Sequence, residues 1–301
     1  MMRVNMLKSI GLLVIGSTIL QSCGLYDLRT KMIKKEGITI ESTNKGKTIL
    51  ERAWKAQGFD KLKNHRTYAY HGSDTWRGML GRISLIWPEM KTEMDFKFQV
   101  GTFEGQTTFL DGKRKGDLAG LQNWNYYEIS ENDTLFKDKD DKENRRIVFG
   151  IAAFQYFTEM LDRIKDAPII SYAGEQECRG QLYDLVFCTW ETDKPHEEHD
   201  QYVAWINKKT GLMDFTQYTL RELYLNLPGL KMLGAGVEFT DLRNIDGVLI
   251  PHQQLFYLMD IRKKQKNNFH ELILSDFKFD SFKPEELRID KSIKNGGNFK
   301  N

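Results

Sequence analysis

Met94-Asp95-Phe96-Lys97-Phe98-Gln99-Val100 alternates apolar and polar side chains without a break. Successive side chains of a strand point to opposite faces, so this run is a strand with one buried and one wet face. The same period runs upstream, where Tyr68, Tyr70, Gly72, Asp74 and Trp76 alternate with Ala69, His71, Ser73, Thr75 and Arg77. Residues 83–87 and 103–110 read as further strands, and Asp111-Gly112 as a turn. Farther out the period becomes helical. Ile49, Leu50, Ala53, Trp54 and Gln57 predict a helix over 44–57 with Gly58 closing it. Ile147, Ile151, Phe154, Phe157 and Leu161 predict a second helix over 147–161. Strands then resume after Pro168. One hairpin turns at Arg179-Gly180, a second at Lys208-Lys209-Thr210-Gly211 and a third at Asp246-Gly247, with a last strand over 270–282. The order is helix, about five strands, helix, about six strands. Short turns without a βαβ rhythm exclude a doubly wound fold.

The chain begins with a different kind of signal. Arg3 and Lys8 precede an apolar run over 10–20, about half the roughly 20 residues needed to cross a bilayer. That pattern is a secretory signal over residues 1–22. Leu20-Gln21-Ser22-Cys23-Gly24 resembles the lipobox of bacterial lipoproteins. The resemblance implies cleavage before Cys23 and acylation of its thiol. Each buried methylene contributes about 0.8 kcal/mol, so two or more chains anchor stably without help from the folded part. The membrane partner is therefore reached through the N-terminal lipid. Gly24-Leu25-Tyr26-Asp27-Leu28 carries no acidic run, and the expected location is the cell envelope, at the outer membrane facing the periplasm. Residues 23–43 read as a tether, 44–284 as one domain and 285–301 as a frayed tail.

Removing 22 of the 301 residues leaves 279, enough for one large domain or two small ones. Without Arg3 and Lys8, 42 Lys and Arg stand against 42 Asp and Glu. A zero balance gives no electrostatic case for a nucleic-acid partner. The mixed charge run over 137–146 reads as a solvated loop. Cys178 and Cys188 remain besides Cys23. With the turn at Arg179-Gly180, Cys188 lies about 23 Å along the ladder from Cys178. A disulfide needs Cα atoms within about 7 Å, so both thiols are expected free.

Tyr202-Val203-Ala204-Trp205-Ile206-Asn207-Lys208-Lys209-Thr210-Gly211-Leu212 resembles a hairpin of LolA-like and LolB-like lipoprotein carriers, in which a strand ends in a polar turn with a Thr-Gly pair. Phe239-Thr240-Asp241-Leu242-Arg243-Asn244-Ile245-Asp246-Gly247-Val248-Leu249-Ile250-Pro251 is similar to a later passage of that superfamily, and the hairpin over 174–188 fits the one before it. The resemblance spans roughly residues 44–282. It implies a mainly β, α+β fold: a half-open antiparallel β-barrel covered by helices, with an apolar cavity for acyl chains and no catalytic residues.

The remaining candidates are few. His196-Glu197-Glu198-His199 spaces its histidines three apart rather than four and reads as a loop, so no metal site is assigned. Asp74, Glu93, Asp95 and Asp184 lie on strands without a spacing that pairs them for acid–base work. No nucleophile elbow, phosphate loop or dinucleotide motif is present, so neither an enzyme nor a cofactor is expected. Met94, Phe96 and Phe98 on the first sheet, Phe154 and Phe157 on the second helix, and Leu225, Leu227 and Leu230 around Pro228-Gly229 are the candidates for an acyl cavity or its lid. Core packing is the other reading of each. The expected function is a non-catalytic lipid or lipoprotein carrier or acceptor; the alternative is a scaffold or binding module of an envelope assembly.

Overall fold

The computed structural model describes residues 24–130, 133–221, 229–258 and 268–294. Three helices open it: α1 (Lys31–Glu36), α2 (Ile40–Ala56) and α3 (Phe59–Leu62). Six strands and one short helix follow: β1 (Thr67–Trp76), α4 (Gly78–Ile83), β2 (Lys91–Gln99), β3 (Gly105–Phe109), β4 (Leu118–Gln122), β5 (Asn125–Ser130) and β6 (Asp133–Lys137). Helices α5 (Asn144–Thr158) and α6 (Met160–Lys165) lead into β7 (Ile169–Cys178), β8 (Gln181–Thr189), β9 (Gln201–Asn207), β10 (Met213–Thr219), β11 (Gly234–Ile245), β12 (Val248–Leu258) and β13 (His270–Phe279).

All thirteen strands form one antiparallel sheet in the order β6-β5-β4-β3-β2-β1-β13-β12-β11-β10-β9-β8-β7. It is two meanders joined where the first strand meets the last, with Gly72 opposite Leu274 and Trp76 opposite His270. Short hairpins make each meander. In the β7–β8 turn, Arg179 and Gly180 both take positive φ (53° and 77°), the primed turn whose twist suits a two-residue hairpin. The sheet leaves β6 and β7 as edges, and α5 with α6 spans from one to the other. The result is a half-open antiparallel β-barrel with helices over it, mainly β and α+β, as the resemblance implies.

The two halves of the sheet are covered differently. On β2, Met94, Phe96 and Phe98 are fully buried while their neighbours stay wet. On β8, every residue from Tyr183 to Thr189 is buried. The reason is α1: Ile33 joins Tyr183, Leu185, Phe187, Val203, Trp205 and Phe215 in a core on one face of β7–β10, while α2 and α6 cover the other. Strands buried on both faces lose the alternation that makes a strand legible.

Several local expectations need correction. The stretch expected as a tether over 23–43 holds α1 and the start of α2. Leu28 N–H donates to Gln201 Oε1 (2.9 Å), and Thr30 Oγ1 donates to Ala173 O (2.8 Å). A capping box starts α2 at Ile40 rather than Asn44: Ser42 N–H donates to Thr39 Oγ1 (3.1 Å), and Thr39 N–H to Ser42 Oγ (2.9 Å). The strand expected over 83–87 is instead the end of α4 and a turn carrying Trp87, which packs edge-on against Phe154 and Phe109. The tail expected over 285–301 is packed as far as Lys294, with Leu287 fully buried and its carbonyl accepting from Tyr127 Oη (3.2 Å). Strands β4 to β6 were not expected individually; their runs are only five or six residues long. Cys178 and Cys188 are both buried, and no disulfide joins them.

Candidate functional site

Helix α5 presents two apolar faces. Val148, Ile151 and Phe154 join the aromatic core over β1–β5. Phe149, Ala153 and Phe157, at i, i+4 and i+8, stack along the helix on a second stripe. Beneath that stripe lies a cavity of about 580 Å³. Its remaining wall comes from Leu80, Ile83 and Ile86 near α4, from Trp76, Phe269 and His270 at the β1–β13 seam, from Tyr218, Leu220, Ala235, Phe256 and Leu258 of β10–β12, and from the turn Gly229, Leu230, Met232 and Leu233. A smaller cavity of about 140 Å³ adjoins it and shares Phe149, Ala153, Phe157, Tyr218 and Leu220. Ligand pockets typically measure about 300–1,000 Å³, so the larger void is of ligand size. Small side chains keep it open: Ala153 on the helix and Ala235 on β11 face it where larger residues would fill it.

Leu80, Ile83 and Met232 belong to this lining and are also exposed, marking its rim among the described residues. Met79 beside them is 76% exposed. The start of the described chain is fastened to the same rim. Tyr26 N–H donates to Lys231 O (3.0 Å), and Arg221 Nη2 donates to Tyr26 O (2.6 Å). Arg221 also donates to His196 O (2.9 Å) and to Lys231 O. Burial holds its guanidinium below the usual range, with Asp200 opposing. Gly234 lets this happen: a Cβ there would stand 2.4 Å from the Tyr26 ring.

One carboxyl–imidazole pair borders the cavity, through His270. Asp74, fully buried on β1, accepts from Trp76 Nε1 (2.5 Å) and contacts His270 Nε2 (2.5 Å) across the β1–β13 seam. The imidazole lies flat between Trp76 (centroids 3.9 Å) and Phe256 (4.4 Å). The period-2 pattern placed Asp74 on the inward face beside Tyr70 and Trp76; its partner 196 positions away carries no sequence signal.

Of the residues singled out in the sequence, Phe154, Phe157 and Leu230 stand in the cavity wall. Met94, Phe96 and Phe98 do not. They are fully buried in the aromatic core with Tyr68, Tyr70 and Phe277, the rings of Phe96 and Phe98 lying over Gly72 and Gly105, where a Cβ would collide with them. Leu225, Leu227 and Cys23 lie outside the described residues. His196, Glu198 and His199 do come together, with ligand atoms within 4.8 Å of one another. Glu198 N–H donates to His196 Nδ1 (3.1 Å), which leaves the proton of a neutral ring on Nε2 and that atom unavailable to a metal. Glu93 and Asp95 both reach His71 (3.1 Å each) on the outer face of the sheet, away from the cavity.

An open antiparallel barrel crossed by a helix is a fold shared with proteins of known structure. A domain from Vibrio parahaemolyticus assigned to outer membrane lipoprotein sorting superposes with a TM-score of 0.50 at 12% identity, covering 82% of this chain and 97% of that one. A DUF1329 family protein from Desulfovibrio piger gives 0.49 at 12% identity, covering 81% and 95%. A LolA superfamily protein from Nitrosomonas europaea gives 0.47 at 9% identity, covering 80% and 96%. No family model matches the sequence, and no curated protein matches it.

Proposed function

We propose that this chain is a lipid-anchored envelope protein that shelters an acyl chain of a lipid or lipoprotein in the cavity beneath α5, without catalysis. The observation that carries this reading is the apolar void itself, about 580 Å³ left open in a barrel whose other half is filled by its own side chains. An empty void forfeits the contacts its lining would make, and a chain of methylenes restores them. Burying ten methylenes contributes on the order of 8 kcal/mol before ordering costs, enough for micromolar retention. The Vibrio domain of the same fold is assigned to lipoprotein sorting, and a lipoprotein's acyl chains suit this cavity.

The anchor fits the same reading. Cys23 precedes Tyr26 by three residues, a span of at most about 11 Å of backbone. Tyr26 is bonded to the carbonyl of Lys231, between the wall residues Leu230 and Met232. Lipid on Cys23 would hold the exposed apolar rim against the membrane, at the outer membrane in the periplasm. The test is one preparation read twice. Cells fed labelled palmitate should mark the wild type and not Cys23→Ser. Cys23→Ser protein purified without detergent should still release a long-chain lipid, near one per chain, to mass spectrometry. Protein that carries no lipid and binds no fluorescent fatty acid returns the fold to the scaffold reading. Equal labelling of the two chains removes the anchor.

A further inference from the structure

We propose that the cavity takes a long-chain carboxylic acid, with the carboxyl docked on His270 Nδ1 at the β1–β13 seam. This rests on the acyl-binding reading and names the chemistry of the ligand's polar end. Asp74 fixes the geometry. Its carboxylate only accepts, so the imidazole nitrogen facing it, Nε2, carries a proton. The ring cannot swing away, held between Trp76 and Phe256 and with 4% of its side chain exposed. Its other nitrogen, Nδ1, has no hydrogen-bond partner among the described residues, in a ring that forms part of a mostly apolar wall in which Ser84 and Tyr218 also stand. A polar ring atom that no protein group satisfies, in the wall of a ligand-sized void, points to the ligand as its partner.

The chemistry of that partner follows from proton count. A carboxyl group and the Nδ1 nitrogen share one proton. Whether it sits on oxygen or nitrogen, the pair has the same composition, and both arrangements are hydrogen-bonded. An ester carbonyl can only accept, so it bonds solely to a ring that has taken an extra proton. A bare hydrocarbon end leaves Nδ1 unmet. A hydroxyl also meets the ring in either state, but only a carboxyl can hand its proton to Nδ1 and turn the contact into a charge-assisted pair, so the carboxyl makes the stronger dock. The tail extends along Ala153 and Phe157 towards the smaller cavity.

The experiment compares lauric acid, methyl laurate and dodecanol as competitors of a fluorescent fatty acid on the mature chain. The acid should displace the probe about tenfold more tightly than the ester, as one added hydrogen bond to a charged or partly charged group would give. The His270→Phe variant should keep the ester affinity within about twofold and lose the acid's advantage. That variant leaves Asp74 without its ring partner and is checked for cooperative unfolding first. The comparison on the wild type needs no variant, so a misfolded His270→Phe protein leaves it standing. Equal affinity of acid and ester, or of acid and dodecanol, in the wild type overturns the carboxyl dock and leaves the acyl cavity intact, with the Asp74–His270 pair serving only to tie two strands. An acid preference that survives in a folded His270→Phe protein also overturns it. Failure of all three competitors to displace the probe removes both readings.

Discussion

Two stretches of the sheet's inner face, one over β1–β5 and one over β10–β12, are built from similar residues and end differently. Over β1–β5, Tyr68, Tyr70, Phe96, Phe98 and Phe277 interlock with ring centroids 5.1–6.3 Å apart, and Trp87 and Phe154 close the layer from above. Over β10–β12, Phe157 meets Tyr218 and Phe256 directly (centroids 5.4 and 4.9 Å), but the space beside these rings, towards Phe149, Ala235 and Leu258, stays open. The apolar character is the same. The difference is what surrounds the small residues: Ala119 is enclosed by rings of the filled core, whereas Ala153 and Ala235 border open space. A protein core reaches near-crystalline density wherever its side chains can, so an apolar region that stops short of it is a feature with a use.

The contrast is most exposed to truncation. Phe96→Ala removes a ring held on all sides and should cost about 3–5 kcal/mol in denaturant unfolding. Phe157→Ala removes a half-buried ring that already borders empty space, and should cost about 1–2 kcal/mol because fewer contacts are lost. It should instead weaken fatty-acid binding. Equal costs at the two sites would mean that the void closes in solution. For the same reason Phe96→Asp is a poor probe of binding, since the chain would unfold before the cavity is tested.

Enlarging a small residue sharpens the comparison from the other side. Ala119 on β4 is fully buried in the filled core, and Ala119→Leu should cost about 1–3 kcal/mol through overpacking. Ala153→Leu puts the same three carbons into the cavity. Its effect on stability should be within about 0.5 kcal/mol, in either direction, while the affinity for a fluorescent fatty acid falls. A large destabilisation by Ala153→Leu would show that the space beside it is not available to a guest.

How much of this was legible depended on period. The runs at 68–76 and 94–100 are wet on one face, so alternation gave their register and their inward residues correctly. What alternation cannot report is whether an inward ring meets another ring or a void; that depends on partners such as Phe277 on β13, far away in sequence. Hence Phe96 and Phe98 looked like cavity wall and are solid core. Phe154 and Phe157, three apart on one helix, fall on either side of the boundary between packed rings and the larger void, Phe154 touching both. The residues 24–43 were read as a tether because short amphipathic pieces carry little periodic signal. The Thr39-x-x-Ser42 cap was the available clue. The acid–base pair at the seam was half legible: Asp74 sits on the buried parity, where an ionisable group needs a partner, but nothing along the chain names His270.

The smallest effect concerns the seam between the two regions, where α5 ends. Glu159 is 1% exposed there. It accepts from Gln155 Nε2 (3.0 Å), Gly101 N–H (3.2 Å) and Arg163 Nη2 (2.6 Å). Burial pushes its carboxyl above the usual range, and Arg163 with these donors pulls it only part of the way back. A carboxyl whose folded pKa exceeds its unfolded value of 4.5 binds protons more tightly when folded. Its contribution is therefore fully present below pH 4.5 and is lost as pH rises through the raised folded value. Glu159→Gln keeps the shape and mimics the protonated form, so it removes this dependence. The melting temperature of Glu159→Gln minus that of the wild type should be most positive above neutrality and should shrink steadily as pH falls towards 4.5. The ion pair with Arg163 exists only while Glu159 is ionised, so its loss is already contained in the raised folded value and adds no separate offset. A difference that stays flat from pH 8 to 4.5 would mean that Arg163 fully compensates burial, and that this seam is an ion pair of ordinary strength.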